Sequence, residues 1–176
     1  MARKKKPEKT PEAAPPRKVR RTGSALARRS AARLAAAQLL YQKDLTGAAV
    51  EKVLSDYRDH WLGTELEGEK YVTADEELLG SIVRGVTERQ ADIDSMVTGA
   101  IVSADGEGGR VHLEPVLRAI LRAGTWEILS CPETPTGVII NDYVDVAHGF
   151  FGGRSPSLVN AVLKRLAQTL RDSSSG

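Results

Sequence analysis

The 176-residue chain has one cysteine, Cys131. No disulfide closes within it and no cysteine-rich zinc module is available, a usage that fits a reducing cytoplasm. Long apolar runs are also missing. The longest, Leu34–Tyr41, is eight residues and contains Gln38, against the ~18 that a membrane span needs. His60, His112 and His148 lie on different segments at spacings that match no zinc motif. Cys131 stands beside Pro132 with no His or basic neighbour in sequence to activate it. The carboxylate pairs Glu76 with Glu77 and Asp92 with Asp94 fit solvated helix faces, and no nucleophile stands with a base. No catalytic residue, no metal site and no cofactor is expected. The length suits one ordinary domain or two small lobes sharing a core, which excludes a large multidomain enzyme.

Acidic residues are nearly absent from one end. Residues 1–33 hold 12 of the 25 Lys and Arg but 2 of the 23 Asp and Glu, a balance of +10, and residues 34–176 carry −8. The net +2 hides this separation, which points to a polyanion at the basic end, or to a solubilising tail. Residues 1–23 contain Pro7, Pro11, Pro15 and Pro16, no aromatic residue and one large aliphatic, Val19. Nothing there offsets the roughly 1–2 kcal/mol of backbone entropy that ordering each residue costs, so a disordered tail is expected. It has neither the apolar stretch of a secretory signal nor the pattern of an amphipathic targeting helix.

From Ser24 onward the pattern is helical, and no convincing period-2 strand appears; Val138-Ile139-Ile140 is the only β-like run. Ser24 suits an N-cap for a helix reaching Gly47, with Leu34, Tyr41 and Leu45 expected as its buried stripe. A second helix is expected over 48–62, and a solvated loop over 63–70. Thr73 and Glu76 have the spacing of a capping box before Leu78, Leu79, Ile82, Val83 and Val86, with a break near Thr87–Gln90 before Ile93, Met96, Val97 and Ile101. Asp105–Arg110 (DGEGGR) is a turn cluster and the candidate hinge. It lacks the glycine pattern and the preceding strand of a phosphate-binding loop. Pro115 fits a first helical position, Pro132 and Pro135 end that helix, and Val138–Phe150 forms the next. Ser155-Pro156 reads as N-cap and N1 of the last. The expected architecture is all-α: about seven helices in two small bundled lobes, roughly 24–104 and 111–172.

The first helix carries binding chemistry. Arg29 and Arg33, four apart, share a face with Arg28 beside them, and Ala27, Ala31, Ala32, Ala35 and Ala36 leave the surroundings small. Arg20 and Arg21 add charge just before the helix. Guanidinium groups bond phosphates and base edges bidentately, and a helix start presents free N–H groups to anions. Solvated faces have the same composition, so the pattern alone fits both.

Three segments resemble a known family. RRSAARLAAAQLLYQ (28–42) is similar to its Arg-x-x-Ala-Arg…Gln-x-Leu-Tyr helix, and LLGSIVRGVTERQADIDSMV (78–97) to its middle helices, with Gly85 and Ile93-Asp94. ILRAGTWEIL (120–129) and TPTGVIINDYVDVAHGFFGGRSPSLVNAVLKRLA (134–167) carry Leu121-Arg122, Glu127, Val138, Ile140-Asn141, Ala147, Ser155 and Val159-Asn160-x-Val162-Leu163 in its order. Over residues 24–170 the chain resembles the NusB family of bacterial transcription antitermination factors. The resemblance implies binding of boxA RNA together with NusE, a ribosomal small-subunit protein, in a complex that modifies RNA polymerase. It places the RNA on Arg28, Arg29, Arg33 and Gln38 of the first helix and Ser155, Ser157 and Leu158 of the last, and a NusE contact at Leu117. Arg122 and Glu127 read as pairing between helices, and Asn160 as a core node or a contact.

Leu158 stands where many relatives have Phe, which removes a stacking surface worth ~1–3 kcal/mol per base. Leu117 stands where an acidic residue is common, Ala161 replaces a Gly, and the basic tail extends the usual start. Monomer and homodimer both fit, with Tyr57, Trp61 and Phe151 assignable to core or interface. Two other readings are a helical adaptor that binds protein alone and a NusB-like domain of an RNA-methyltransferase system. The second is disfavoured because the chain leaves no room for a catalytic domain before Gly176.

Overall fold

The computed structural model describes residues 22–60, 65–66, 69–70, 72–105 and 113–171. Among these are seven helices: α1 (Ala25–Thr46), α2 (Val50–His60), α3 (Glu76–Glu88), α4 (Gln90–Asp105), α5 (Pro115–Ser130), α6 (Thr136–Phe150) and α7 (Ser155–Arg171). The all-α expectation holds. The stretch read as a loop carries a two-residue antiparallel ribbon, β1 (Glu65–Leu66) and β2 (Glu69–Lys70), with Glu65 opposite Lys70. The expected disorder of the tail falls outside the described residues up to position 21, as do Trp61, His112 and the hinge beyond Asp105. Thr22, assigned to that tail, is anchored instead: its N–H donates to Thr73 Oγ1 at 3.1 Å and its carbonyl accepts from Thr73 N–H at 3.1 Å.

Local signals account for the helix ends. Ser24 caps α1, its hydroxyl accepting from Ala27 N–H at 3.2 Å. Gly47 closes the helix at φ +66°, a left-handed conformation that glycine adopts without Cβ strain. The break between α3 and α4 falls at Arg89, inside the expected window, and Pro115 opens α5. The expected capping box is corrected. Asp75, not Thr73, caps α3, accepting from Leu78 N–H at 3.2 Å, while Thr73 is drawn into its pairing with Thr22. Ser155 lies inside α7 rather than capping it, since the first helical bond runs from Leu158 N–H to the Arg154 carbonyl.

The centre of the fold is α5. Ten of its sixteen residues are buried, as expected of a helix with neighbours on all sides. It packs against α1, α3, α4, α6 and α7, and these five close a ring around it in the order α1, α6, α7, α4, α3, while α2 covers α1 and α3. The expected lobes 24–104 and 111–172 are therefore joined through one continuous core. Tyr57 and Phe151 pack against that core, and Asn160 is half-buried on α7.

The buried face of α1 is not the one expected. Leu34 and Leu45 are 39% and 63% exposed, whereas Ala32, Ala35, Ala36, Ala37, Leu39 and Leu40 are buried. Small side chains let α3, α5 and α6 approach the α1 backbone closely, so the alanine face is packed rather than open.

Arg171 fastens the far end of the ring. Its guanidinium donates to the carbonyls of Ile128 at 3.0 Å, Thr134 at 2.8 Å and Cys131 at 2.9 Å, satisfying the end of α5 and the turn after it. Arg171→Ala is expected to lower unfolding free energy by about 1–3 kcal/mol in urea titrations. Arg171→Lys should recover only part, because an ammonium lacks the planar fork. An unchanged midpoint for the alanine variant would show the clamp to be idle.

Candidate nucleic-acid interface

The first helix has no acidic residue in its first turn, and Arg28 and Arg29 emerge there. Arg28 is half-buried; its Nε donates to the Thr73 carbonyl at 3.2 Å, and its own carbonyl accepts from Asp75 N–H at 2.9 Å. One guanidinium edge is thus committed to holding α1 against the start of α3. Arg29 lies on the other flank, close enough for its charge to act on the Cys131 thiol. Gln38 is exposed three turns on, beside exposed Leu34.

Arg33 does not belong with them. It does share a face with Arg29, but that face is the packed one, and Arg33 is 1% exposed. Its Nε donates to both Glu127 carboxylate oxygens at 3.1 and 2.9 Å, its Nη2 donates again to Oε1, and its Nη1 donates to Asp142 at 2.6 Å. Ser30 donates to the same Asp142 oxygen at 2.8 Å, and Tyr143 donates to Glu127 at 3.1 Å. This network ties α1 to α5 and α6. Burial opposes the Arg33 charge, but hydrogen bonding and attraction from Glu127 outweigh it and raise the pKa. Burial, then the Glu127 charge, raises the Tyr143 pKa well above the phenol range. The assignment of Arg33 to an RNA face is corrected: its donors are spent inside the protein.

Leu117 is corrected for the same reason. It is 5% exposed in the core, so a partner cannot touch it directly; Glu114 and Pro115 are the exposed residues at that end of α5. Arg122 and Glu127 do pair between helices, though not with each other. Arg122 donates to Asp94 at 2.6 and 2.7 Å and to Asp44, joining α5 to α4 and α1. Burial, with repulsion from Glu127 and Glu133, pushes the Cys131 thiol up to about 11, so it stays protonated and unreactive near neutral pH.

At the other patch, Ser157 is exposed at the start of α7, Ser155 is half-buried, and Leu158 is half-buried against the core. Arg154 is exposed beside Ser155 and precedes the helical pattern, so no motif marks it in the sequence. The two patches are not in contact. Helix α6 lies between α1 and α7, presenting exposed Asn141, Asp145 and His148. Among the described residues, no group of His, Cys, Asp and Glu is placed to hold a metal ion, and no helix is long and apolar enough to cross a membrane.

A ring of five helices around a buried one, with cations at one end of α1 and at the start of α7, defines an all-helical protein with basic surface patches. The chain belongs to the NusB family, whose pattern matches residues 30–168. The transcription antitermination protein NusB of Rhizobium rhizogenes is 45% identical over 143 residues, 81% of this chain and 88% of that one. The same protein of Brucella suis is 42% identical over 166 residues, 94% of each. Among solved structures, T. maritima NusB has a TM-score of 0.64 at 23% identity, covering 85% of this chain and 93% of that one. A complex of antitermination factors NusB and NusE with double-stranded RNA gives 0.64 at 21% identity, covering 83% and 99%. These two likenesses concern the fold.

Proposed function

We propose that this protein is a transcription antitermination factor that acts in the cytoplasm, binding boxA-type single-stranded RNA together with NusE within an RNA polymerase complex. The observation that carries this reading is family membership across residues 30–168, with relatives above 40% identity named as transcription antitermination proteins. The RNA face comprises Arg28, Arg29 and Gln38 on α1 and Ser155, Ser157 and Leu158 on α7, with Arg33 removed from the set. Leu158 gives apolar contact without stacking. The charge division supports two partners: the basic end suits RNA, and the helices α3 and α4, which carry exposed Glu76, Glu77, Glu88 and Asp92, suit a basic ribosomal protein.

Filter binding of boxA RNA, a scrambled strand and a boxA duplex, each with and without NusE, tests the reading. The expected result is preference for the boxA strand, strengthened by NusE. Arg29→Ala should weaken binding roughly fivefold at 0.1 M salt and reduce the salt slope by about 0.7, as loss of one phosphate contact does. Equal binding of all three RNAs, or of none, with NusE still captured, would instead identify a protein adaptor.

A further inference from the structure

Between Val146 and Arg171 the chain has no Asp or Glu, and it has four cations, Arg154, Lys164, Arg165 and Arg171. This stretch sits in the part of the protein whose net charge is −8. Arg171 is turned inward as the clamp on α5, and the other three are exposed. On a 3.6-residue turn, Arg154, Ser157, Ala161, Lys164, Arg165 and Gln168 share one outward sector, opposite the buried Val159, Val162, Leu163 and Leu166. Every residue of that sector is exposed. Among the described residues, no ion pair engages Arg154 or Lys164. The ten residue steps from Arg154 to Lys164 span about 15 Å along the helix axis. Ser157, already assigned to the RNA face, lies between them, so the stripe is continuous with that site.

We propose that the outer face of α7, from Arg154 to Arg165, is a track for the sugar–phosphate backbone of RNA flanking the boxA element. The inference rests on the RNA-binding reading above and extends its site along the length of a helix. Cations at this spacing meet phosphates of separate nucleotides, and the small Ser157 and Ala161 between them leave room for a backbone to lie close. No aromatic residue stands on the stripe to stack a base. Its contribution is therefore salt-dependent and indifferent to sequence, as backbone contacts are.

The test compares a boxA oligonucleotide with the same RNA extended by ten nucleotides at either end, the extension being oligo(U) or a mixed sequence. Both are bound to the full chain with NusE, and to a Lys164→Gln/Arg165→Gln variant whose urea midpoint is checked. For the unsubstituted protein, extension at one end should tighten binding whatever its sequence and steepen the salt slope by about 1.4, two contacts' worth. The variant should lose that gain, roughly ten- to thirtyfold at 0.1 M salt, while binding the short RNA as before. If extension adds nothing, or the variant keeps the gain, the track is refuted and the boxA site stands. If the variant instead loses NusE, the face serves protein and the track is also refuted. If the unsubstituted protein binds no RNA at all, the antitermination reading fails first and takes the track with it.

Discussion

Replacing Arg33 by alanine is expected to lower the unfolding free energy by about 3–5 kcal/mol, a large share of the roughly 5–15 kcal/mol that a domain possesses. The reason is what the substitution leaves behind. Glu127 is fully buried and accepts from Arg33 through both oxygens; without the guanidinium it keeps only the Tyr143 hydroxyl. An uncompensated carboxylate in the core costs more than the ion pair itself was worth. Two companion variants separate this account from a surface role. Arg33→Met/Glu127→Leu removes both charges and should recover part of the lost stability, because an apolar pair needs no desolvation while the buried Tyr143 hydroxyl loses its acceptor. Arg29→Ala, one turn away at the end of the bundle, should leave the unfolding free energy within about 0.5 kcal/mol of the parent. If Arg33→Ala keeps the parent midpoint yet weakens RNA binding, Arg33 is a contact and the buried network is not what holds α1 in place.

The same residue shows what was legible in the sequence. Helix existence was, because caps, prolines and apolar spacing are local: Ser24, the break at Arg89 and Pro115 all stand where their chemistry places them. The buried side of α1 was not. Hydrophobic periodicity weights Leu34 and Leu45 above alanine, but the helix is packed through its alanines, where closeness of approach matters more than side-chain area. With the face inverted, Arg33 looked exposed. A signal was available in α5, where Glu127 sits among Trp126, Ile128 and Leu129 near the apolar end of the helix and requires a buried cation. The choice between Arg33 and Arg122 as that cation is tertiary information. Arg122 is instead taken by Asp94 and Asp44, from two other helices.

For the candidate site, the structure adds the exposure of each residue. Gln38 and Ser157 are exposed and Arg28, Arg29, Ser155 and Leu158 half-buried, so a partner can reach them, whereas Leu117 is closed off in the core. An aligned position carries a residue's role in a family but not its burial in this chain. The acid-free stretch over α7 was visible in composition, yet its three outward cations become one stripe only when α7's packed side is known. Two patches on α1 and α7, with α6 between them, likewise follow from the ring around α5 and from no motif.

That ring also sets the second large effect. Gly85 lies on α3 where Trp126 of α5 crosses it, and a Cβ there would stand 1.9 Å from the indole Nε1, 2.2 Å from Cε2 and 2.7 Å from Cζ2. No rotation of a methyl group relieves contacts that short; the indole must leave or the helices must part. Trp126 is half-buried and packs against the core, so its displacement forfeits burial as well as fit. Gly85→Ala gains about 1 kcal/mol of helix propensity and should nonetheless destabilise the fold by about 1–3 kcal/mol net. In a Trp61→Phe background, Trp126 is the remaining tryptophan, and its emission should shift to the red as the ring moves into solvent. The decisive comparison is the double-mutant cycle with Trp126→Leu. Shortening the indole removes the obstacle, so Gly85→Ala made in that background should be neutral or stabilising, and the two changes should couple by more than 1 kcal/mol. Additive losses with an unshifted emission would mean that α3 and α5 meet elsewhere, and that the glycine is not what lets the central helix sit this close to its ring.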